Sequence, residues 1–177
     1  EYDQIVSLGE VVSTKIIQAY IGLLRKDSVW TDARHLVRTN NNYRYADVKF
    51  EKTEQLIRRF IADNAEKNIF VTQGFLGHTD ESFTTTLGRE GSDFTAGIFA
   101  YCLNAESLTI WKDVEGVLNA DPRYFEETQL LQQISYTEAI ELAFYGASVI
   151  HPKTLQPLQK KEIPLFVKSF IVPQNEG

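Results

Sequence analysis

Ile69-Phe70-Val71-Thr72-Gln73-Gly74-Phe75, followed by Thr84-Thr85-Thr86-Leu87-Gly88-Arg89-Glu90-Gly91-Ser92-Asp93, decides how this chain is read. The first stretch has the β-branched and aromatic content of a short buried strand and runs into a glycine. Ser92 to Leu103, rich in alanine and aromatics, fits a well-buried helix. Between them Thr84 to Gly91 reads as a polar loop, and a loop at the carboxyl end of a strand is the usual ligand site of α/β proteins.

Each residue type in that loop has a chemical use. Arg89 offers a permanently charged planar fork for a carboxylate or phosphate. Gly88 and Gly91 let the backbone approach a ligand closely or take positive φ. Ser92 reads as a helix cap, and the free N–H groups behind it favour an anion. Asp93 either complements the helix dipole or organises cations around a transferring phosphoryl group. The plain reading of the same residues is a capped helix with a solvated Arg89–Glu90 pair.

Outward from this stretch, helices and strands alternate. Ile5, Leu8, Val12, Ile16, Ala19 and Leu23 recur at helical spacing and predict an amphipathic helix over about residues 5–25 with that stripe inward. Ser7 and Glu10 form a possible capping box at its start. Glu10 lies about 140° from Ile5 on the wheel, which reads as a solvated or capping carboxylate. Val29-Trp30 is a short strand, Asp32 to Asn40 a polar connection, and Asn40-Asn41-Asn42 a turn. A second helix spans Phe50 to Ala65 with Leu56, Ile57, Phe60 and Ile61 inward and Arg58-Arg59 on a solvated face.

Beyond Leu103, Leu108 to Trp111 is another buried strand, followed by Lys112-Asp113-Val114-Glu115-Gly116-Val117-Leu118 and Asn119-Ala120-Asp121-Pro122-Arg123. That loop belongs beside the first if the two strands are parallel neighbours. Ser135 caps a helix carrying Ala139, Ile140, Leu142 and Ala143 and ending near Gly146; Pro152 starts another, with His151 as a hydrogen-bonding residue at its start. Ile163 to Lys168 is a last strand. The pattern is that of a three-layer α/β domain with a mainly parallel central sheet.

Composition narrows the function classes. The chain has 177 residues, 43% of them hydrophobic, enough for a real core. A net charge of −6 gives no general attraction to nucleic acid or acidic membranes. The single cysteine, Cys102, excludes an internal disulfide and reads as core filler. His35, His78 and His151 are too scattered for a metal site. Neither a P-loop nor a dinucleotide fingerprint is present. With no membrane-length apolar run and no signal peptide, a cytoplasmic protein is expected. The chain has no methionine and begins on Glu1 in the approach to a helix, which reads as a segment of a longer protein.

The run Thr72-Gln73-Gly74-Phe75, Thr84 to Arg89 and Gly91-Ser92-Asp93 resembles the aspartate kinase signature within the amino acid kinase family. Ile5 to Glu10 with Ser13-Thr14, the Trp-x-Asp-Val and Asp-Pro-Arg segments at 111–123, and Tyr145 to Pro152 resemble three further blocks of it, so the resemblance covers nearly the whole chain. It implies the amino acid kinase (carbamate kinase-like) fold. It also implies transfer of the ATP γ-phosphoryl group to the side-chain carboxylate of L-aspartate, the first step toward lysine, threonine and methionine, with Mg²⁺.

The resemblance assigns Glu10, Phe75, Thr86, Arg89, Ser92 and Asp93 to the substrate, with Arg89 gripping a carboxylate, Glu10 the amino group, and Arg89 and Asp93 catalytic. Lys112, Asp113, Leu118, Arg123, Ser148 and Val149 fall to the nucleotide. Ser148 stands where many members carry a phosphate-contacting lysine, leaving Lys112 or Lys153 to compensate. The family's Lys-Phe-Gly-Gly-Thr-Ser segment occurs nowhere in residues 1–177. The chain is therefore expected to be a partial catalytic domain without its N-terminal strand, phosphate loop or regulatory domains, nearly inactive alone and prone to self-association, and part of a homodimer when full-length. The alternatives are a family kinase acting on another acidic amino acid or carbamate, or a nucleotide-binding regulatory module without turnover.

Overall fold

The computed structural model describes residues 1–121, 123–144 and 149–175. They form two compact units, Glu1–Leu103 and Asn104–Gly177.

The first unit contains α1 (Tyr2–Leu24), β1 (Ser28–Trp30), α2 (Ala33–Leu36), α3 (Phe50–Asp63), β2 (Ile69–Val71), β3 (Leu76–His78), β4 (Thr84–Thr86) and α4 (Gly91–Leu103). β1 and β2 pair in parallel, Val29 opposite Phe70, as strands separated by a helical crossover must. β3 and β4 form an antiparallel pair with Gly77 opposite Thr85. The core joins Leu36, Ala46, Ile57, Leu87, Phe94, Ile98 and Cys102. α3 and α4 pack together there, and Phe50 meets Tyr101 edge-on at 5.3 Å. Arg58 and Arg59 pair with Glu54 and Asp63 one turn away, on the solvated face expected of them.

Several expectations are corrected in this unit. Thr84–Thr86 is a buried strand and not a loop: β-branched threonines suit a pleated strand, and the Thr85 and Thr39 hydroxyls bond to each other at 2.7 Å. The polar connection after β1 contains a one-turn helix, α2, capped by Asp32, whose carboxylate accepts from the Arg34 N–H. α1 is amphipathic as its periodicity indicates, but it is turned the other way. Ile5, Leu8, Val12, Ile16 and Leu23 are exposed, Ile5 by 68% and Leu23 by 74%, while Asp3 and Ser7 are buried.

The inward face of α1 is held by polar bonds. The Thr14 hydroxyl accepts from Trp30 Nε1 at 3.1 Å and from Gln73 Nε2 at 2.8 Å, and Gln18 Nε2 donates to the Ser28 hydroxyl at 2.8 Å. The helix also begins before Ser7, whose hydroxyl donates to the Gln4 carbonyl at 2.7 Å, so Ser7 and Glu10 are no capping box.

The second unit contains β5 (Leu108–Lys112), α5 (Tyr136–Phe144), α6 (Pro152–Lys160) and β6 (Leu165–Ser169). β5 and β6 are parallel, Ile110 opposite Val167, and these two residues form a core with Ile150 and Leu155. Local signals hold here. Glu138 accepts from both the N–H and the hydroxyl of Ser135, and Ser135 Oγ accepts the Glu138 N–H, a complete capping box. His151 Nδ1 accepts the Lys153 N–H at 3.1 Å and caps α6, with Pro152 in its first turn. β2 thus has β1 as its ladder partner in the first unit, and β5 has β6 in the second. Among the described residues no helix is long and apolar enough to cross a membrane.

Candidate active site

In the first unit the stretch after β2 and the start of α4 are built against each other. Phe75 has φ 69°, a conformation that costs a side-chain-bearing residue about 1–2 kcal/mol and must be held by its surroundings. Its N–H donates to the Thr95 hydroxyl at 2.9 Å, and its carbonyl accepts the Leu87 N–H at 3.0 Å. The Thr95 hydroxyl donates in turn to the Gly91 carbonyl at 2.8 Å. Gly91 has to be glycine, because a Cβ would lie 2.6 Å from the Phe75 ring; at Gly74 it would lie 2.8 Å from the Ser92 backbone. One buried threonine, itself on α4, thus ties Phe75 to the helix start.

The turn between β4 and α4 uses positive φ twice, at Gly88 (85°) and Glu90 (52°), and closes with the Gly91 N–H donating to the Gly88 carbonyl at 3.1 Å. It carries Arg89 out to solvent. α4 starts at Gly91, so Ser92 lies within its first turn, exposed, instead of capping it, and Asp93 follows half-buried, an acidic group at the positive end of the helix dipole. Thr86 is fully buried; its N–H donates to the Asp3 carboxylate at 3.0 Å and its carbonyl accepts the Ala46 N–H at 3.0 Å. The Thr86 hydroxyl has no partner among the described residues. Phe75, Thr86, Arg89, Ser92 and Asp93 therefore belong to one compact framework. Glu10 is half-buried on α1, which packs against β1 and β4, on the inward side and not in the solvated position its helical wheel suggests.

In the second unit, Lys112 ends β5 and its carbonyl accepts the Phe170 N–H at 3.0 Å. Asp113 is exposed. The loop then folds back on residues 129–131: Leu118 bridges Leu130, Leu131 N–H donates to the Val117 carbonyl, and Gln129 N–H to Asn119 Oδ1. Gly116 is buried at φ 152°, where a Cβ would meet Leu130 at 2.8 Å. Arg123 is exposed and pairs with Asp121, its Nη2 2.6 Å from Oδ2 and its Nε shared between both oxygens. The Arg123 side-chain bonds, then its backbone N–H, hold the Asp121 carboxyl below the usual range. Val149 is half-buried and lines a cleft of ≈ 780 Å³ together with Gly116, Val117, Tyr136 and Phe166. Ser148, like Pro122 and Tyr145 to Ala147, lies outside the described residues.

Sequence reasoning missed the residues that hold the framework. Gln73 is fully buried, accepting the Ala33 N–H at 2.8 Å through Oε1 while donating to Thr14. Asp3, Tyr45 and Thr95 were equally silent. Asp3, in the first turn of α1, carries only the signal of an ordinary dipole-complementing acid.

The model of the amino acid kinase family matches residues 1–169. The chain is 36% identical to lysine-sensitive aspartokinase 3 of Escherichia coli over 99% of its own length and 39% of that protein. It is 37% identical to the chloroplastic bifunctional aspartokinase/homoserine dehydrogenase 1 of Arabidopsis thaliana over 94% of its length and 18% of that protein. It thus spans well under half the length of these relatives. Among solved structures, that of E. coli aspartokinase III with aspartate and ADP superposes with a TM-score of 0.89 over 97% of this chain and 38% of that one. Clostridium acetobutylicum aspartate kinase, 26% identical, gives 0.83 over the whole of this chain and 37% of its own. With the Gln73–Phe75 turn, the threonine strand and the Gly88–Asp93 helix start all in place, the chain belongs to the amino acid kinase family.

Proposed function

We propose that the protein to which this chain belongs transfers the γ-phosphoryl group of ATP to the side-chain carboxylate of L-aspartate, giving 4-phospho-L-aspartate and ADP. The observation that carries this reading is the Phe75–Thr95–Gly91 lock, which fixes the turn presenting Arg89 at the head of α4. The likeness to an aspartokinase bound to aspartate and ADP supports the choice of substrates.

In this reading Arg89 holds a substrate carboxylate through two parallel N–H···O bonds. Glu10, Phe75, Thr86 and Ser92 complete the substrate site, and Asp93 orients the cations around the reaction centre. Lys112, Asp113, Leu118, Arg123, Ser148 and Val149 serve the nucleotide. A bond forms between a carboxylate oxygen and the γ-phosphorus, the bond to the β,γ-bridging oxygen breaks, and no proton need move. The protein's contribution is positioning and charge neutralisation. Arg123 must exchange Asp121 for phosphate, or keep it and act through the turn. Among the described residues no three acidic, histidine or cysteine side chains converge on one point, so Mg²⁺ would depend on the nucleotide's phosphates and the residues present do not by themselves make its site. Cytoplasmic placement and a homodimer belong to the same reading.

The test is the full-length protein with ATP, aspartate and hydroxylamine. Acyl hydroxamate that depends on both substrates is expected. Product with glutamate but not aspartate would move the reading to another acid, and nucleotide binding without hydroxamate would overturn it in favour of a regulatory module.

A further inference from the structure

Along its inward face α1 is fastened to its unit by polar bonds, while the apolar stripe of Ile5, Leu8, Val12, Ile16 and Leu23 points to solvent. The fastening at its N-terminal end is Asp3, which is only 3% exposed. One carboxylate oxygen, Oδ2, accepts two backbone N–H groups, those of Arg44 and Thr86, each at 3.0 Å. The Arg44 guanidinium lies over the Tyr2 ring at 4.7 Å.

Both N–H groups belong to the frame of the Arg89 turn. Arg44 has φ 70° and is followed by Tyr45, whose ring packs so closely on Gly88 that a Cβ there would lie 2.5 Å away. Ala46 then donates to the Thr86 carbonyl. Asp3 therefore holds β4 and the 44–46 segment together immediately before Arg89. Asp3 and Glu10 are also two turns apart on α1, and seven residues at 100° each return to within about 20° of the same face.

We infer that Asp3 is a positioning residue of the substrate site: through its two backbone N–H bonds it sets the Thr86–Arg89 turn and the seating of α1, and with it Glu10. This rests on the proposed aspartate-phosphorylating activity. Asp3 touches no substrate in this scheme, so its loss acts through the geometry of Arg89 and Glu10.

In the full-length protein, Asp3→Ala should raise the KM for aspartate roughly ten- to hundredfold, the scale of an ångström-sized misplacement, while the KM for ATP stays within a few-fold. Asp3→Asn keeps an oxygen for both N–H groups and should recover most of the loss. A merely structural defect would move both KM values together. Equal shifts in the two, or an Asn variant as impaired as the Ala variant, overturn the inference. If Asp3→Ala does not fold, Tyr45→Ala, which unpacks Gly88 and leaves Asp3 in place, must show the same selective rise for aspartate, and its absence overturns the inference equally. A wild-type protein that forms no aspartyl hydroxamate would instead remove the underlying reading.

Discussion

The Phe75 N–H donates to the Thr95 hydroxyl at 2.9 Å, and that hydroxyl donates onward to the Gly91 carbonyl, one turn back in α4. A helical threonine commonly bonds back to the carbonyl four residues earlier; here the same oxygen also accepts from a left-handed residue outside the helix. Thr95→Val keeps the shape and deletes both bonds. It should cost about 1–3 kcal/mol of stability, because the Phe75 N–H loses its partner, and Thr95→Ser should restore it. Denaturant midpoints of the three proteins decide the matter; a valine variant as stable as wild type would show the hydroxyl to be dispensable.

Gly88 is constrained twice, by φ 85° and by the Tyr45 ring. Gly88→Ala should destabilise by about 1–3 kcal/mol through the strained backbone, with the clash in addition. Adding Tyr45→Ala should relieve the clash but not the strain, so the double variant should recover only part of the loss. Full recovery would mean that the conformation itself costs nothing.

How far these residues could be foreseen depended on how local their reasons are. The Ser135–Glu138 box and the His151-Pro152 helix start were legible because the partners lie within one turn of chain. Asp3 and Thr86 are 83 positions apart, and nothing near either one names the other. Periodicity identified which residues of α1 share a face, but it does not say which face is packed. The inward choice follows from the usual burial of apolar groups, whereas here the opposite face carries the hydrogen-bonding partners of Trp30, Gln73, Arg44 and Thr86. The hydroxyls of the threonine run suggest a loop, but its branching at Cβ is the better guide. Gly88 takes the positive φ its residue type suggests, whereas the close approach at Gly91 is to the Phe75 ring and not to a ligand, and Phe75 in the left-handed region has no local signal, since only its tertiary bonds make it tolerable.

Arg89 is exposed at the end of its turn, so replacing it should leave the fold intact and fall on the substrate. In the full-length protein Arg89→Ala should weaken aspartate use by the equivalent of about 2–5 kcal/mol, since a carboxylate that loses its bidentate partner is left unpaired. ATP affinity should change far less. Steady-state kinetics varying each substrate provides the check, and unchanged aspartate KM and kcat would remove Arg89 from the site.

His78 gives the first unit a pH dependence with a definite sign. Its Nδ1 accepts a bond from Arg38 Nη1 at 2.8 Å, which requires the neutral ring with the proton on Nε2. Burial, then the Arg38 charge, with smaller contributions from Arg34 and His35, hold its pKa below the ordinary 6.5, against a backbone bond involving Ser82 that favours the charged form. A base with a lowered folded pKa binds protons more readily when unfolded. Its contribution to stability is therefore complete above pH 6.5 and is lost as the pH falls from there through the folded value. Protonation must also break the Arg38 bond and set two cations side by side. Unfolding midpoints measured in steps from pH 7.5 to 4.5 should fall across the acidic half of that range. His78→Gln keeps an acceptor for Arg38 but does not titrate, and its profile should be flatter there. Parallel profiles for the two proteins would assign the acid loss to other groups.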